Sequence, residues 1–238
     1  ITENVVDRVL NPWNLLIMYF TYPVVKMLHE LGHAFAPRVR GGEVHELGII
    51  FLVLMPVPYV DATASSGFTS KYHRILVSAA GMMVELFLAA LALFVWLNVE
   101  TGLVSAIAYN VMLIGSVSTL FFNGNPLLRF DGYYMLADAV EIPNLGARST
   151  RYLHYLAMRY LYGMKEAASP VTARGEAAWF AVYGIAAFIY RMILMVAIVL
   201  FLASKFFIVG VLLAIRAVIL QVVMPLVKHV SFLLQDNR

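Results

Sequence analysis

The sequence predicts an all-α polytopic membrane protein, with about five transmembrane helices and a short membrane-embedded β element between the first two. Three observations lead there. Of the 238 residues, 62% are hydrophobic and only 13% charged, with a mean hydropathy of +0.81, whereas soluble domains hold about 45–50% apolar and ~25% charged residues. Apolar runs of roughly 20 residues, enough to cross a bilayer, recur along the chain. One further apolar run is short, rich in β-branched residues and bounded by Gly and Pro, which fits a strand rather than a span.

The first span runs from Trp13 to about Phe35. Pro23, Lys26 and the segment from His29 to His33 interrupt it, so its second half is too polar for a helix facing lipid. Then comes "GGEVHELGIIFLVLMPVPYV", Gly41–Val60, whose apolar run Gly48–Met55 reads as a strand or hairpin dipping into the membrane. Irregular backbone at that depth must be covered by protein or line a wet cavity. Ile75–Leu97 is the second span, with one charge, Glu85; Leu103–Phe122 is the third, with none. The polar connection 129–176 holds a short helix around Arg151–Met164. Ala177–Ser204 and Phe206–His229 are the fourth and fifth spans, each with one central arginine, Arg191 and Arg216. The expected organisation is a core over 1–135, a cytoplasmic-side connection over 136–176 and a C-terminal transmembrane hairpin over 177–238.

Lysine and arginine bias sets the orientation. Arg38, Arg40, Lys71 and Arg74 lie in 37–74, six more basic residues lie in 129–176, and the turn "NVETG" has none. With both long connections in the cytoplasm, the N-terminus is outside and the C-terminus inside. The ends of the first and third spans then emerge on the same side and can meet. The net charge of +3 reflects these loop residues. No basic-aromatic array suggests nucleic acid, and the absence of cysteine excludes disulfides and thiolate metal sites. The start, "ITENVVDRVLNP", has no signal-peptide pattern and no initiator methionine, so a longer parent chain is expected.

The tetrapeptide HELG occurs twice, at His29–Gly32 and His45–Gly48. In the first copy His33 completes HExxH. Two imidazoles one helical turn apart can reach one zinc ion. Glu30 is rotated ~100° from His29 and ~60° from His33, close enough to the metal side to take a proton from a bound water. Ionisable groups inside a span are costly and mark function. The second copy has Ile49 where the second histidine would stand, so His45 and Glu46 read as loop residues at the membrane surface.

A catalytic zinc takes three protein ligands. His73 and His154 are in loops and His229 ends the last span, whereas Asp131 follows the third span in "FFNGNPLLRFDGYYMLAD". Asp131 is the expected third ligand; the alternative is a turn aspartate preceding Gly132.

HELGH in a span, followed two spans later by Asn123, Pro126, Asp131 and Gly132 as Asn-x-x-Pro-x4-Asp-Gly, resembles the site-2 protease family of intramembrane zinc metalloproteases. The resemblance covers roughly 13–135. It implies a three-helix catalytic core, zinc on His29, His33 and Asp131, Glu30 as general base, and Asn123 holding the substrate backbone. It also implies that Gly48–Val60 is a β element able to pair with an unwound substrate strand. "PVPYVDAT", "NPLLRFDGYYMLAD" and "EIPNL" are similar to a bacterial branch of peptide zinc metalloproteases, some joined to or encoded near export adaptors. The implied partners are therefore a membrane-embedded or peptide substrate, the lipid bilayer, and an export adaptor or further domains. The implied location is a bacterial cytoplasmic membrane, with the zinc site toward the cytoplasm.

The family's usual Ala-Gly-Pro-x-x-Asn is here "AAGMMVE", with Met82 for proline and Glu85 for asparagine, and Leu128 replaces its second proline. Glu85, Lys26, Arg191 and Arg216 all fall near mid-membrane, and Glu85 is expected to pair with one of the other three, an arginine of the last helices being preferred, or else to face a hydrated cavity. A rival reading is a non-proteolytic membrane subunit of a peptide exporter, with structural or vestigial zinc. An ion or zinc transporter is a second rival, disfavoured because no repeated half-helices are present.

Overall fold

The computed structural model describes residues 11–52, 55–61, 67–164, 166–205, 207–224 and 227. The first ten residues and His229 lie outside them. The chain divides into two compact units, 1–184 and 185–238.

Helix α1, Pro12–Arg38, opens on Asn11, whose side chain accepts from the Trp13 backbone N–H at 3.0 Å. Pro12 in the first turn needs no hydrogen-bond donor there. A two-stranded antiparallel hairpin follows, β1 Leu47–Leu52 and β2 Met55–Val60, with Leu47 opposite Val60 and Leu52 opposite Met55. This is the predicted β element. Helix α2 spans Lys71–Asn98, and α3, Leu103–Leu113, continues as a wider π-helical segment, Ile114–Asn123.

Helices α1, α2 and α3 pack together. Asn14 and Asn110 exchange amide hydrogen bonds of 3.4 and 2.9 Å between α1 and α3, and Asn110 is fully buried. The partners of α1 on α2 run in reverse order, Lys26 and His29 meeting Glu85 and His33 meeting Val77. Those two helices are therefore antiparallel. Gly32 allows the approach, since a Cβ there would lie 2.9 Å from the Ala80 carbonyl oxygen.

Two helices follow in the connection, where the sequence predicts one. Helix α4, Asp131–Ala139, is the addition. Nine residues are too few to hold a helix by local propensity; tertiary contacts hold this one. Tyr133 is buried and its hydroxyl accepts from the Gly146 N–H at 3.0 Å, while Asp138 accepts from Arg74 of α2 at 2.7 Å. Helix α5, Leu145–Leu156, runs on through a π-helical turn, Ala157–Leu161, and starts six residues before the predicted helix. Helix α6, Glu176–Lys205, begins with Glu176 accepting from the N–H groups of Thr172 and Ala173 and from Arg148 of α5.

In the second unit, α7, Phe207–Val218, extends as a π-helical turn over Ile219–Val223. Arg191 donates from Nε to the Ala187 carbonyl at 3.0 Å, and Gln221 donates to the Met195 sulfur at 2.8 Å.

Among the described residues, three helices are long and apolar enough to cross a membrane: Lys71–Asn98, Leu103–Asn123 and Glu176–Ser204. Helix α1 is long enough, at 27 residues, but its second half carries Lys26, His29, Glu30 and His33. The apolar stretch in α7, Val211–Gln221, is shorter than a span.

Candidate metal centre

His29 and His33 lie on the buried face of α1, and Asp131 reaches them from the first residue of α4. The two Nε2 atoms are 3.1 Å apart. Asp131 Oδ2 is 3.2 Å from Nε2 of His29, and Oδ1 is 3.4 Å from Nε2 of His33. Among the described residues, this is the group of three histidine or acidic side chains whose ligand atoms converge.

A tetrahedral ion with bonds of ~2.0–2.1 Å holds its ligand atoms ~3.3–3.4 Å apart. The separation of the two nitrogens, and of each nitrogen from its nearer carboxylate oxygen, is close to that size. Asp131 Oδ2 and His29 Nδ1 are buried without a hydrogen-bond partner. Buried polar atoms are normally satisfied, and a cation among these three groups would satisfy the carboxylate oxygen. The donor set suits zinc.

The second sides of the imidazoles are also arranged. His33 donates from Nδ1 to the Val77 carbonyl at 2.8 Å, which leaves its Nε2 free as a ligand. His29 turns Nδ1 toward Glu85 Oε1, 3.2 Å away. Between these contacts stands Gly81, where a Cβ would be 2.5 Å from the Nε2 atoms of both histidines. Any larger residue would fill the space between the ligands. Val77, Gly81 and Glu85 recur every four residues and form the face of α2 that meets the two histidines.

Glu85 is fully buried. Its carboxylate takes Lys26 Nζ at 2.6 Å, the Asn123 amide at 3.2 Å, and the Thr119 hydroxyl. Of the expected partners the structure shows Lys26, three residues before His29 on α1, in place of the preferred arginine of the last helices. Asn123 therefore has at least one N–H engaged inside the protein. Thr119 and Asn123 both come from the π-helical segment, a geometry that is rare and concentrated at functional sites.

Glu30 is half-buried beside the cluster, with the backbone N–H of Val60 close to its carboxylate. The hairpin register explains that contact. The Asp61 N–H bonds to the Glu46 carbonyl at 2.9 Å, so residues 48, 50 and 52 are the hydrogen-bonded positions of β1 and 55, 57 and 59 those of β2. The N–H of Val60 then points out of the hairpin. Pro56 and Pro58 fall at the same outward positions, where a missing donor costs the ladder nothing. On the opposite edge, the N–H groups of Leu47, Ile49 and Phe51 point outward, and among the described residues no further strand pairs with them.

The second HELG is separate from this cluster. His45 and Glu43 are exposed, 3.9 Å apart, and Leu47 and Gly48 already belong to β1. His73 and His154 are exposed as well. Two participants were not legible from sequence, the Val77 carbonyl and Gly81, and the pairing of Glu85 with Lys26 was one of three open choices. The available signal was "VSAAGMMVE", which spaces residues 77, 81 and 85 on one helix face opposite the histidines.

Scans against protein-family models, curated proteins and solved structures find no match to this chain.

Proposed function

We propose that this protein is an intramembrane zinc metalloprotease of the site-2 protease type, hydrolysing peptide bonds of membrane-embedded or membrane-adjacent peptides. The observation that carries the reading is the convergence of His29, His33 and Asp131, from segments about a hundred residues apart, with both carboxylate oxygens within 3.4 Å of a histidine Nε2. On this reading α1 and the last helix also cross the bilayer, giving five crossings, with the zinc site toward the cytoplasmic side of a bacterial inner membrane. An export adaptor or further domains of a longer chain are the partners the reading implies.

His29, His33 and Asp131 hold the zinc. When bound, zinc supplies Lewis acidity toward the scissile carbonyl and toward a water at its open position. Glu30 takes the proton of the attacking water and delivers it to the departing amine. A substrate helix must unwind first, because helical peptide groups are tied up in their own hydrogen bonds. The hairpin then offers the unwound segment a strand to pair with, while Asn123 steadies it from the π-helical side.

Zinc content per chain tests the reading in the wild type, Glu30→Gln and Asp131→Ala. Near one zinc in the first two and loss in the third is expected. The same three proteins, co-reconstituted with a library of single-span peptides, should yield cleavage products by mass spectrometry only from the wild type. Zinc in all three proteins would remove Asp131 from the ligand set. A Glu30→Gln protein that cleaves as the wild type does would remove the base. Zinc without cleavage in any of the three would favour a non-proteolytic export subunit, for which Glu30 beside the ligands has no purpose.

A further inference from the structure

Glu85 stands where a neutral residue would be cheaper. Burying an ion pair can cost more in lost hydration than the mutual attraction returns, unless the geometry is close and further hydrogen bonds satisfy the remaining atoms. Here the carboxylate is fully buried and saturated: Oε1 meets Lys26 at 2.6 Å and His29 Nδ1 at 3.2 Å, and Oε2 takes Thr119 and Asn123. Four groups from α1 and α3 thus fix one carboxylate of α2 in a single orientation. A metal-binding histidine almost always gives its second ring N–H to a carboxylate, a carbonyl or water, which sets its tautomer and aim. His33 has the Val77 carbonyl for this purpose. His29 Nδ1 is buried without a hydrogen-bond partner, and Glu85 Oε1 is the acceptor beside it.

Resting on the zinc reading above, we propose that Glu85 is the positioning carboxylate of the metal site. It accepts from Nδ1–H of His29 and so presents Nε2 to the ion, while Lys26 supplies its countercharge and Thr119 and Asn123 hold its second oxygen. The Lys26–Glu85 pair thereby couples the layer beneath the site to the aim of one ligand. It is more than a brace between α1 and α2.

The test is zinc affinity, by competition with a chromophoric chelator, together with the visible spectrum of the cobalt(II)-substituted protein in detergent. Lys26→Met/Glu85→Met removes both charges and the acceptor beside Nδ1 of His29, and leaves no unpaired buried ion. Zinc binding should weaken roughly 10- to 100-fold and the cobalt bands should shift, with the circular dichroism unchanged. Glu85→Asp is the second variant: flexible Lys26 can follow the shortened carboxylate, but the ring of His29 cannot, so affinity and spectrum should again change. If the double variant fails to fold, the aspartate variant decides. Wild-type affinity and wild-type cobalt bands in the folded variants would overturn the positioning role and leave the zinc site standing. A wild type that binds no zinc would overturn the zinc reading and this inference with it.

Discussion

His33 donates from Nδ1 to the carbonyl oxygen of Val77 at 2.8 Å, so a backbone atom of α2 sets the aim of a side chain on α1. The side chain of Val77 is itself buried, but the bond to His33 does not use it. Val77→Ala should cost about 1–3 kcal/mol in lost burial and leave the zinc-to-chain ratio unchanged. Melting curves and metal analysis on one preparation would check both. Loss of zinc would mean that the side chain, not the carbonyl, supports His33.

Gly81→Ala should behave in the opposite way. Alanine favours a helix by about 0.8–1 kcal/mol over glycine, so α2 should persist. The new methyl group would stand 2.5 Å from both ligand nitrogens, and bound zinc should fall to background. Far-UV circular dichroism with metal analysis separates the two effects, and a zinc-replete Gly81→Ala protein would sink the geometry described here.

Arg74 and Asp138 join the start of α2 to the helix that begins with Asp131. Asp138→Asn removes the charge from a half-buried 2.7 Å contact while Arg74 keeps the Phe68 carbonyl. A loss of about 1 kcal/mol in stability is expected. Zinc affinity should drop several-fold, because α4 carries the third ligand. Chemical denaturation and chelator competition measure the two, and unchanged zinc affinity would show that α4 is held in place by Tyr133 and its neighbours alone.

The hairpin permits a register test of strand addition. Proline at Ile49 removes an N–H on the open edge of β1, whereas proline at Ile50 removes one used inside the hairpin. Ile49→Pro should retain zinc and lower kcat/KM for a cleaved peptide roughly tenfold, the worth of about one hydrogen bond. Ile50→Pro should disrupt the hairpin, and with it the Val60 contact to Glu30. Equal effects of the two substitutions would argue against pairing on that edge.

Much of this was legible in the chain. HELGH has to put two imidazoles on one face of whatever helix contains it, and the apolar runs around α2, α3 and α6 set those helices to within a few residues. Asp131 was reachable because Asn, Gly and Pro break the chain after the third span. Helix α4 was not legible: its nine residues owe their helicity to Tyr133 and Asp138, whose partners lie elsewhere in the chain. The same holds for Glu85. Hydropathy shows that a buried charge needs a partner but not which one, and the choice of Lys26 follows from the depth at which α1 and α2 cross. The π-helical segment that brings Thr119 and Asn123 to Glu85 has an ordinary apolar sequence and leaves no periodic trace.

The four-residue rhythm of Val77, Gly81 and Glu85 also restricts how this chain can change length. One residue inserted between 77 and 85 turns everything beyond it by ~100°, so the carbonyl, the gap and the carboxylate could no longer face the histidines together. About four residues, roughly one turn, is the smallest insertion that brings the face back to within ~40°, and it would move Glu85 some ~6 Å along the axis from His29. Tolerance to insertion in this protein should therefore end abruptly at the first turn of α2, while the stretch between α5 and α6 stays free to lengthen.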